Sequence, residues 1–229
     1  MKNKSVLLKK YFIVILSQII VGIGASFLVT SGMGNDPMGV MVSGLSQKFG
    51  VMFGTMSNIV NFIIFLVLLI FYRKRITLTT LITVFVPGWS INRMLKLWSV
   101  TTLTMIFVPG SSTSRMLKPW SIVNLPSAVI KFIFPLMGCL IISTGVALCL
   151  CLDFGAGIMD NLILMIGDIF NKTYAFGCYI CYAVFFTVGL LLGGVWGYAT
   201  VVALVLNGKV IDFLIPKFKN TVAVWAEKA

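Results

Sequence analysis

Four stretches of this chain are apolar for long enough to cross a lipid bilayer: Tyr11–Thr30, Val51–Tyr72, Ala128–Leu152 and Tyr174–Val195. A helix rising 1.5 Å per residue needs about twenty predominantly apolar residues to span a hydrocarbon core ~30 Å thick. Weaker apolar stretches lie between and after them, at Met38–Phe49, Leu78–Leu97, Thr101–Met116, Ile158–Phe170 and Tyr198–Ile215. The pattern predicts an all-α fold, a polytopic transmembrane helical bundle. Composition removes the soluble alternative. The chain is 59% hydrophobic and 10% charged, with 6 acids against 18 bases. So few charges cannot coat a soluble domain of this size, so the apolar surface must face lipid.

The formal net charge of +12 would suit nucleic acid if the bases shared a polar face. Instead they cluster at the ends of apolar runs: Lys2, Lys4, Lys9 and Lys10; Arg73, Lys74 and Arg75; Lys217 and Lys219. That placement marks cytoplasmic loops near anionic headgroups. The expected partners are therefore membrane lipids and no nucleic acid. The basic start followed by Tyr11–Ile23 mimics a signal peptide, but the run continues to Val29 without a clear A-x-A site, so it reads as a retained first span. The N-terminus is then cytoplasmic. Arg73–Arg75 falls on the same side only if Met38–Phe49 does not cross. As a helix that segment is about 18 Å long, too short for a ~30 Å core. About six crossings follow, with short re-entrant or interfacial helices. Lys48 and Lys172 are expected outside and the C-terminus inside.

The chain also repeats. With Gly24 set on Gly145, Gly34 falls on Gly155, Met38 on Met159 and Phe49 on Phe170; after a one-residue slip, Thr80 falls on Thr200 and Gly88 on Gly208. Two internal repeats are a common transporter construction. The resulting division is a first membrane repeat over 1–100, a linker over 101–122, a second repeat over 123–219 and a cytoplasmic tail over 220–229. The linker holds a local tandem copy: Thr79-Thr80-Leu81 through Trp98-Ser99 recurs as Thr101-Thr102-Leu103 through Trp120-Ser121. Pro87 and Pro109 are expected to break or kink a helix there, and the copy reads as an interfacial insertion without a function of its own.

The break after each first helix is the candidate site. The first is Ser31-Gly32-Met33-Gly34-Asn35-Asp36-Pro37-Met38-Gly39 and the second Asp153-Phe154-Gly155-Ala156-Gly157-Ile158-Met159-Asp160-Asn161. Irregular backbone at membrane depth survives only when buried in protein or lining a wet cavity, and broken helices at matching positions of two halves point to a transporter site. Gly34, Asp36, Pro37, Gly155, Gly157 and Asp160 are the candidate substrate or ion residues, with the following helix N-terminus available to an anion and the acids to a cation or proton. The plainer alternative is a pair of surface turns with Asp36 and Asp153 capping helices. Asp160 and Asp168 lie eight apart, near one helix face. Gly50-x-x-x-Gly54 and Gly189-x-x-x-Gly193 suit close helix packing, and Asn58 and Asn61 suit interhelical hydrogen bonds or a ligand.

Catalysis finds no support. The chain has no histidine, P-loop or GxGxxG motif, so no catalytic residues, cofactor or enzyme activity are expected. An intramembrane aspartyl pair of Asp36 and Asp160 would rest on the repeat alone. Cys139, Cys149, Cys151, Cys178 and Cys181 all lie in apolar runs, and Cys178-x-x-Cys181 has no second pair, so no metal site is expected.

The run Gly22-x-Gly24-Ala25…Gly34-x-x-Pro37…Gly44-Leu45-Ser46…Gly50…Gly54-Thr55 resembles the YczE/YitT-like family of bacterial membrane proteins. So do Gly145-x-Ala147…Gly155-Ala156-Gly157-x-x-Asp160 and the closing Tyr198-Ala199-Thr200…Asn207-Gly208-x-x-Ile211-Asp212. The family usually has Pro-Trp-Asp in its first break, where this chain has Pro37-Met38-Gly39; Asp160 matches the second-half acid. The resemblance implies a multi-pass protein of the bacterial inner membrane. Two functions compete: a permease or export component for an unknown small solute, and a non-transporting scaffold or regulatory subunit, as a homo-oligomer or with a partner membrane protein.

Overall fold

A computed structural model of the chain describes residues 2–73, 76–103, 127–152, 154–155, 157–172 and 174–227. The described residues form helices and their connections: α1 (Lys2–Ser31), α2 (Pro37–Phe49), α3 (Phe53–Phe71), α4 (Leu78–Leu103), α5 (Ser127–Leu150), α6 (Ile158–Ile169), α7 (Tyr174–Leu191) and α8 (Tyr198–Phe218). A π-helical turn, Lys219–Ala223, leads into the short α9, Val224–Glu227. Most of the tandem copy, from residue 104 to 121, lies outside the described residues.

Small residues set the packing. A Cβ added to Gly24 would stand 2.8 Å from the Gly138 carbonyl oxygen and 2.8 Å from Ile142; one added to Gly145 would stand 2.7 Å from the Ser17 oxygen and 2.7 Å from Val21. The α1 and α5 backbones therefore touch at two points, each glycine one partner's contact. Phe27 meets Phe134 edge-on at 5.1 Å. The start of α5 thus lies beside the end of α1, and the two helices are antiparallel. α4 runs parallel to α1, with Gly22 against Pro87 and Ser90, and the Ser90 hydroxyl donating to the Ile19 carbonyl at 3.0 Å. α8 runs parallel to α5, joined by Phe132–Tyr198 and Ser143–Asn207. α3 runs antiparallel to α4 through facing Gly54 and Gly88.

Neither short helix crosses from one end of the bundle to the other. α2 starts beside the first turn of α8 and leads through three residues into α3, whose first turn is bonded to Asn92 toward the same end. α6 starts at the opposite end, and its last turn is held there by the Tyr72 hydroxyl, which donates to Asp168. Its Lys172 therefore lies at the same end as Arg73, not at the end of Lys48 as the sequence reading expected. The reason is that α6, 12 residues long, turns back rather than traversing.

Three helices are long and apolar enough to cross a membrane, Val6–Ser31, Phe53–Phe71 and Lys131–Leu150; a bent pair, Tyr198–Asn207 with Lys209–Ala226, makes a fourth. Their outer faces are apolar: Ile70 is 73% and Leu191 of α7 83% exposed. α4 continues through Pro87 instead of breaking there. Proline removes one intrahelical hydrogen bond, which packed membrane helices tolerate, and the Pro87 carbonyl is seated against α1.

One end of the molecule gathers the bases. Lys9 lies over the Trp225 ring at 5.0 Å and Lys10 over Phe154 at 5.8 Å, and Lys217 lies over Phe213 at 3.9 Å. Ile13, Val14, Cys149, Leu152 and Ala226 form a buried cluster beneath them. Arg73 and Lys172 are at this end too. Lys48, Lys131, Arg93 and Lys96 are toward the other, the last two on α4 just beyond Asn92.

Candidate functional site

The two breaks share backbone angles at two corresponding positions. Gly34 and Gly155 both adopt φ 108°, a region that L side chains avoid. Two residues on, Asp36 (φ −60°, ψ 162°) and Gly157 (φ −62°, ψ 171°) occupy the cap positions of α2 and α6. Pro37 takes the first position of α2, where its missing N–H costs nothing and its ring pre-sets φ.

The acids differ by one turn, with their partners exchanged. In α2 the cap is Asp36 and the third residue is Gly39; in α6 the cap is Gly157 and the third residue is Asp160. A Cβ on Gly39 would lie 2.6 Å from the Asp36 Oδ1, and one on Gly157 would lie 3.1 Å from the Asp160 Oδ2. Each carboxylate thus covers the helix's first turn, over the glycine that makes room for it. Asp36 holds the cap position without a side-chain capping bond. Asp153 lies outside the described residues.

Matching contacts hold each break. The Met33 carbonyl accepts the Ala199 N–H at 2.9 Å, and the Phe154 carbonyl accepts the Thr79 hydroxyl at 3.0 Å. Gly34 packs against Gly197 and Thr200, Gly155 against Thr77. The Gly197 N–H donates to Thr200 Oγ1 at 3.2 Å and the Thr77 N–H to Thr80 Oγ1 at 3.3 Å. The second break has more polar ties. Thr83 Oγ1 accepts the Ile158 N–H at 3.1 Å, satisfying one of the donors orphaned at a helix start, and Asn161 Nδ2 donates to Thr80 Oγ1 at 3.1 Å. Val40 and Ala203 stand at the corresponding places of the first break and offer no such bonds.

Because α1 and α5 are antiparallel, the breaks enter the bundle from opposite ends. Both short helices nevertheless meet α7: Tyr182 and Cys178 pack against a buried cluster that takes Met41 and Val42 from α2 and Ile158, Ile163 and Met165 from α6. Buried Ser17 and Gln18 of α1 lie beside Cys149. Thr80, Thr83 and Asn161 hold the second break although no motif singles them out, whereas the packing around Tyr182 is apolar, with Met41, Ile163, Cys181 and Phe185 in its cluster. Extending the Gly34-on-Gly155 register into the following helices would have pointed to Tyr182. Asp168, by contrast, is exposed and belongs to the Tyr72 contact.

The glycine pairs divide. Gly54 and Gly189 make close backbone contacts, with Gly88 and with Val40–Met41. Gly50 and Gly193 face open space with φ 65° and 75°, as turn residues. Asn58 lies against Gly88 on α4.

Helices of membrane length with an apolar exterior, and two glycine-broken short helices packed among them, define a polytopic α-helical membrane protein. The chain belongs to DUF6198, a family of unknown function, whose pattern it matches over residues 8–216. It is similar to an uncharacterized protein, YyaS, of Bacillus subtilis (strain 168), at 27% identity over 207 residues, covering 90% of this chain and 92% of that one. No solved structure matches.

Proposed function

We propose that this protein is a small-solute permease of the bacterial cell membrane, built from two inverted repeats. The single observation that carries the reading is the pairing of the breaks: matching glycine and cap angles, entry from opposite ends, and two short helices that both pack on α7. Inverted repeats with discontinuous helices converging near the midplane are how many secondary transporters expose one site alternately to two sides. The first repeat is α1–α4 and the second α5–α8, with α2 and α6 re-entrant, which gives six crossings. The reciprocal contacts of Gly24 and Gly145 support a two-fold relation between them. The basic end, with both described chain ends, is cytoplasmic on the positive-inside rule. No step of this function requires catalysis or a cofactor, and the YczE/YitT-like resemblance is a kinship of the same glycine pattern. The scaffold alternative needs a partner to hold.

The test is solute uptake by proteoliposomes of the purified chain, against a panel of labelled sugars, amino acids and nucleosides. At least one solute should accumulate above protein-free vesicles, and Asp160→Asn should lower its initial rate about tenfold or more while leaving incorporation unchanged. No uptake of any solute, with stoichiometric co-purification of a second membrane protein from native membranes, would favour the scaffold.

A further inference from the structure

The two halves pack their last helices differently. In the first, α3 lies along α4. Gly54 faces Gly88, Asn92 Oδ1 accepts the Gly54 N–H at 3.0 Å, Asn92 Nδ2 donates to Thr55 at 2.8 Å, and Phe62 meets Phe85 at 6.3 Å. Val84 of α4 is buried in one cluster with Met56, Val60 and Ile64 of α3. No such seam joins α7 to α8 among the described residues. α7 lies on α2 and α6 instead, where Gly189 and Gly177 admit the backbones of Val40 and Ile163. The repeat register sets Phe62 on Ala183, Val84 on Leu204, Phe85 on Val205 and Asn92 on Asp212. The second-half members are uncovered: Leu204 is 51% exposed where Val84 is fully buried, and Ala183, Val205 and Asp212 are exposed. Asp212 belongs to a helix pair of membrane length, where acids ordinarily face protein. Its identity matches its surroundings in the register. The Asn92 amide donates to Thr55, whereas Phe176, the counterpart of Thr55, offers no acceptor and an aspartate has no N–H to place. What the carboxylate keeps is the acceptor role at a helix start, which the helix dipole favours. Residues 192–197, which join α7 to α8, hold glycine at 193, 194 and 197, and Gly193 has φ 75° in open space; the matching residues 72–77 hold none.

We infer that α7 has a second seat on α8, in which Asp212 accepts N–H groups of the first turn of α7 as Asn92 accepts that of Gly54. The second half then takes the arrangement now seen in the first. The inference rests on the two-repeat permease reading and deepens it by supplying a second state. One half closed on its fourth helix and the other open is what inverted repeats show when a permease faces one side of the membrane, and the two arrangements are populations of one equilibrium. Turning about Gly193, α7 exchanges its contacts with α2 and α6 for the seam with α8. The two short helices are thereby released from their shared partner, and the interior between the breaks changes.

The seat is read by cross-linking the full chain in membranes, in a cysteine-free background, where no transport is needed. Ala183→Cys with Val205→Cys reproduces in the second half the place where Phe62 meets Phe85. A short bismethanethiosulfonate should join that pair within one chain, as it should join Phe62→Cys with Phe85→Cys. Asp212→Leu should slow the 183–205 link about tenfold and leave the 62–85 link unchanged, whereas Asp212→Asn, which keeps an acceptor, should retain the parent rate. If Asp212→Leu does not insert, Asp212→Ala carries the same comparison. No 183–205 link beside a complete 62–85 link would overturn the inference. So would an equal rate with and without the Asp212 carboxylate, or a 183–205 link formed only between two chains, which would give the α8 face to a second copy. The two readings fail separately. Solute uptake without the 183–205 link removes the second seat and leaves the permease, whereas an Asp212-dependent link without uptake of any solute removes the permease and leaves the seat.

Discussion

Gly34 and Gly155 are the residues on which each break turns. Both combine φ 108° with a neighbour where a side chain would go: Gly197 N and Thr200 Oγ1 at 2.6 Å from a Cβ on Gly34, and Thr77 Oγ1 closer still on Gly155. Gly34→Ala should therefore cost about 2–5 kcal/mol, adding backbone strain to overpacking. Gly32→Ala, also left-handed but in open space, should cost only about 1–2 kcal/mol. Comparing melting temperatures of the purified variants checks this, and equal shifts would show that crowding at Gly34 does not matter. The glycines were legible because breaks in long apolar runs stand out. Sequence marked Asp36 and Asp160 as counterparts, yet in the repeat register they sit one turn apart, each over a glycine of its own helix start. Asn61 stood out as a polar residue in an apolar run, whereas Tyr182 was harder to see, since nothing around it forms a pattern until the register is carried through.

The first turns of α4 and α8 pin the two breaks, but unequally. Thr80 Oγ1 accepts both the Thr77 N–H and the Asn161 amide, whereas Thr200 Oγ1 accepts the Gly197 N–H. Thr80→Val keeps the shape and removes both bonds, so it should destabilise by about 1–2 kcal/mol, and Thr200→Val by roughly half as much. Denaturant titration of the two variants reads the difference; an equal loss would mean that the Asn161 tie contributes nothing. At this scale three of the four expected spans were written in the sequence, because twenty apolar residues have few alternatives in lipid; the fourth, Tyr174–Val195, ends as α7 at Leu191, and its apolar part Phe176–Leu191 is shorter than a span. The ends of α2 and α6 were close as well, since glycine and proline punctuate them. The continuity of α4 across Pro87 was not legible. Proline is judged locally as a breaker, and what seats its carbonyl is a distant helix, α1.

For the whole molecule the sequence supplied the class, and Lys9, Lys10 and Lys217 gather at one end as it grouped them. It misplaced Lys172, because a helix's direction through the bundle depends on the Tyr72–Asp168 contact and not on its own composition. In a cysteine-free background, single cysteines replacing Lys9, Arg73, Lys172 and Lys217 should label from one side of the membrane, and those replacing Lys48 and Lys131 from the other. Labelling at 172 from the Lys48 side would mean that α6 traverses, and would end the six-crossing arrangement. The antiparallel fit of α1 on α5 also has a bearing on how the chain is made. α1 emerges from the ribosome with Ser17 and Gln18 already on a face that only α5 will cover, and α5 is not synthesised until the whole first half has passed. The opening helix must therefore wait in or beside the insertion machinery, with that polar face still wet or guarded. α9, made after α5, then packs back on α1 with Trp225 beneath Lys9.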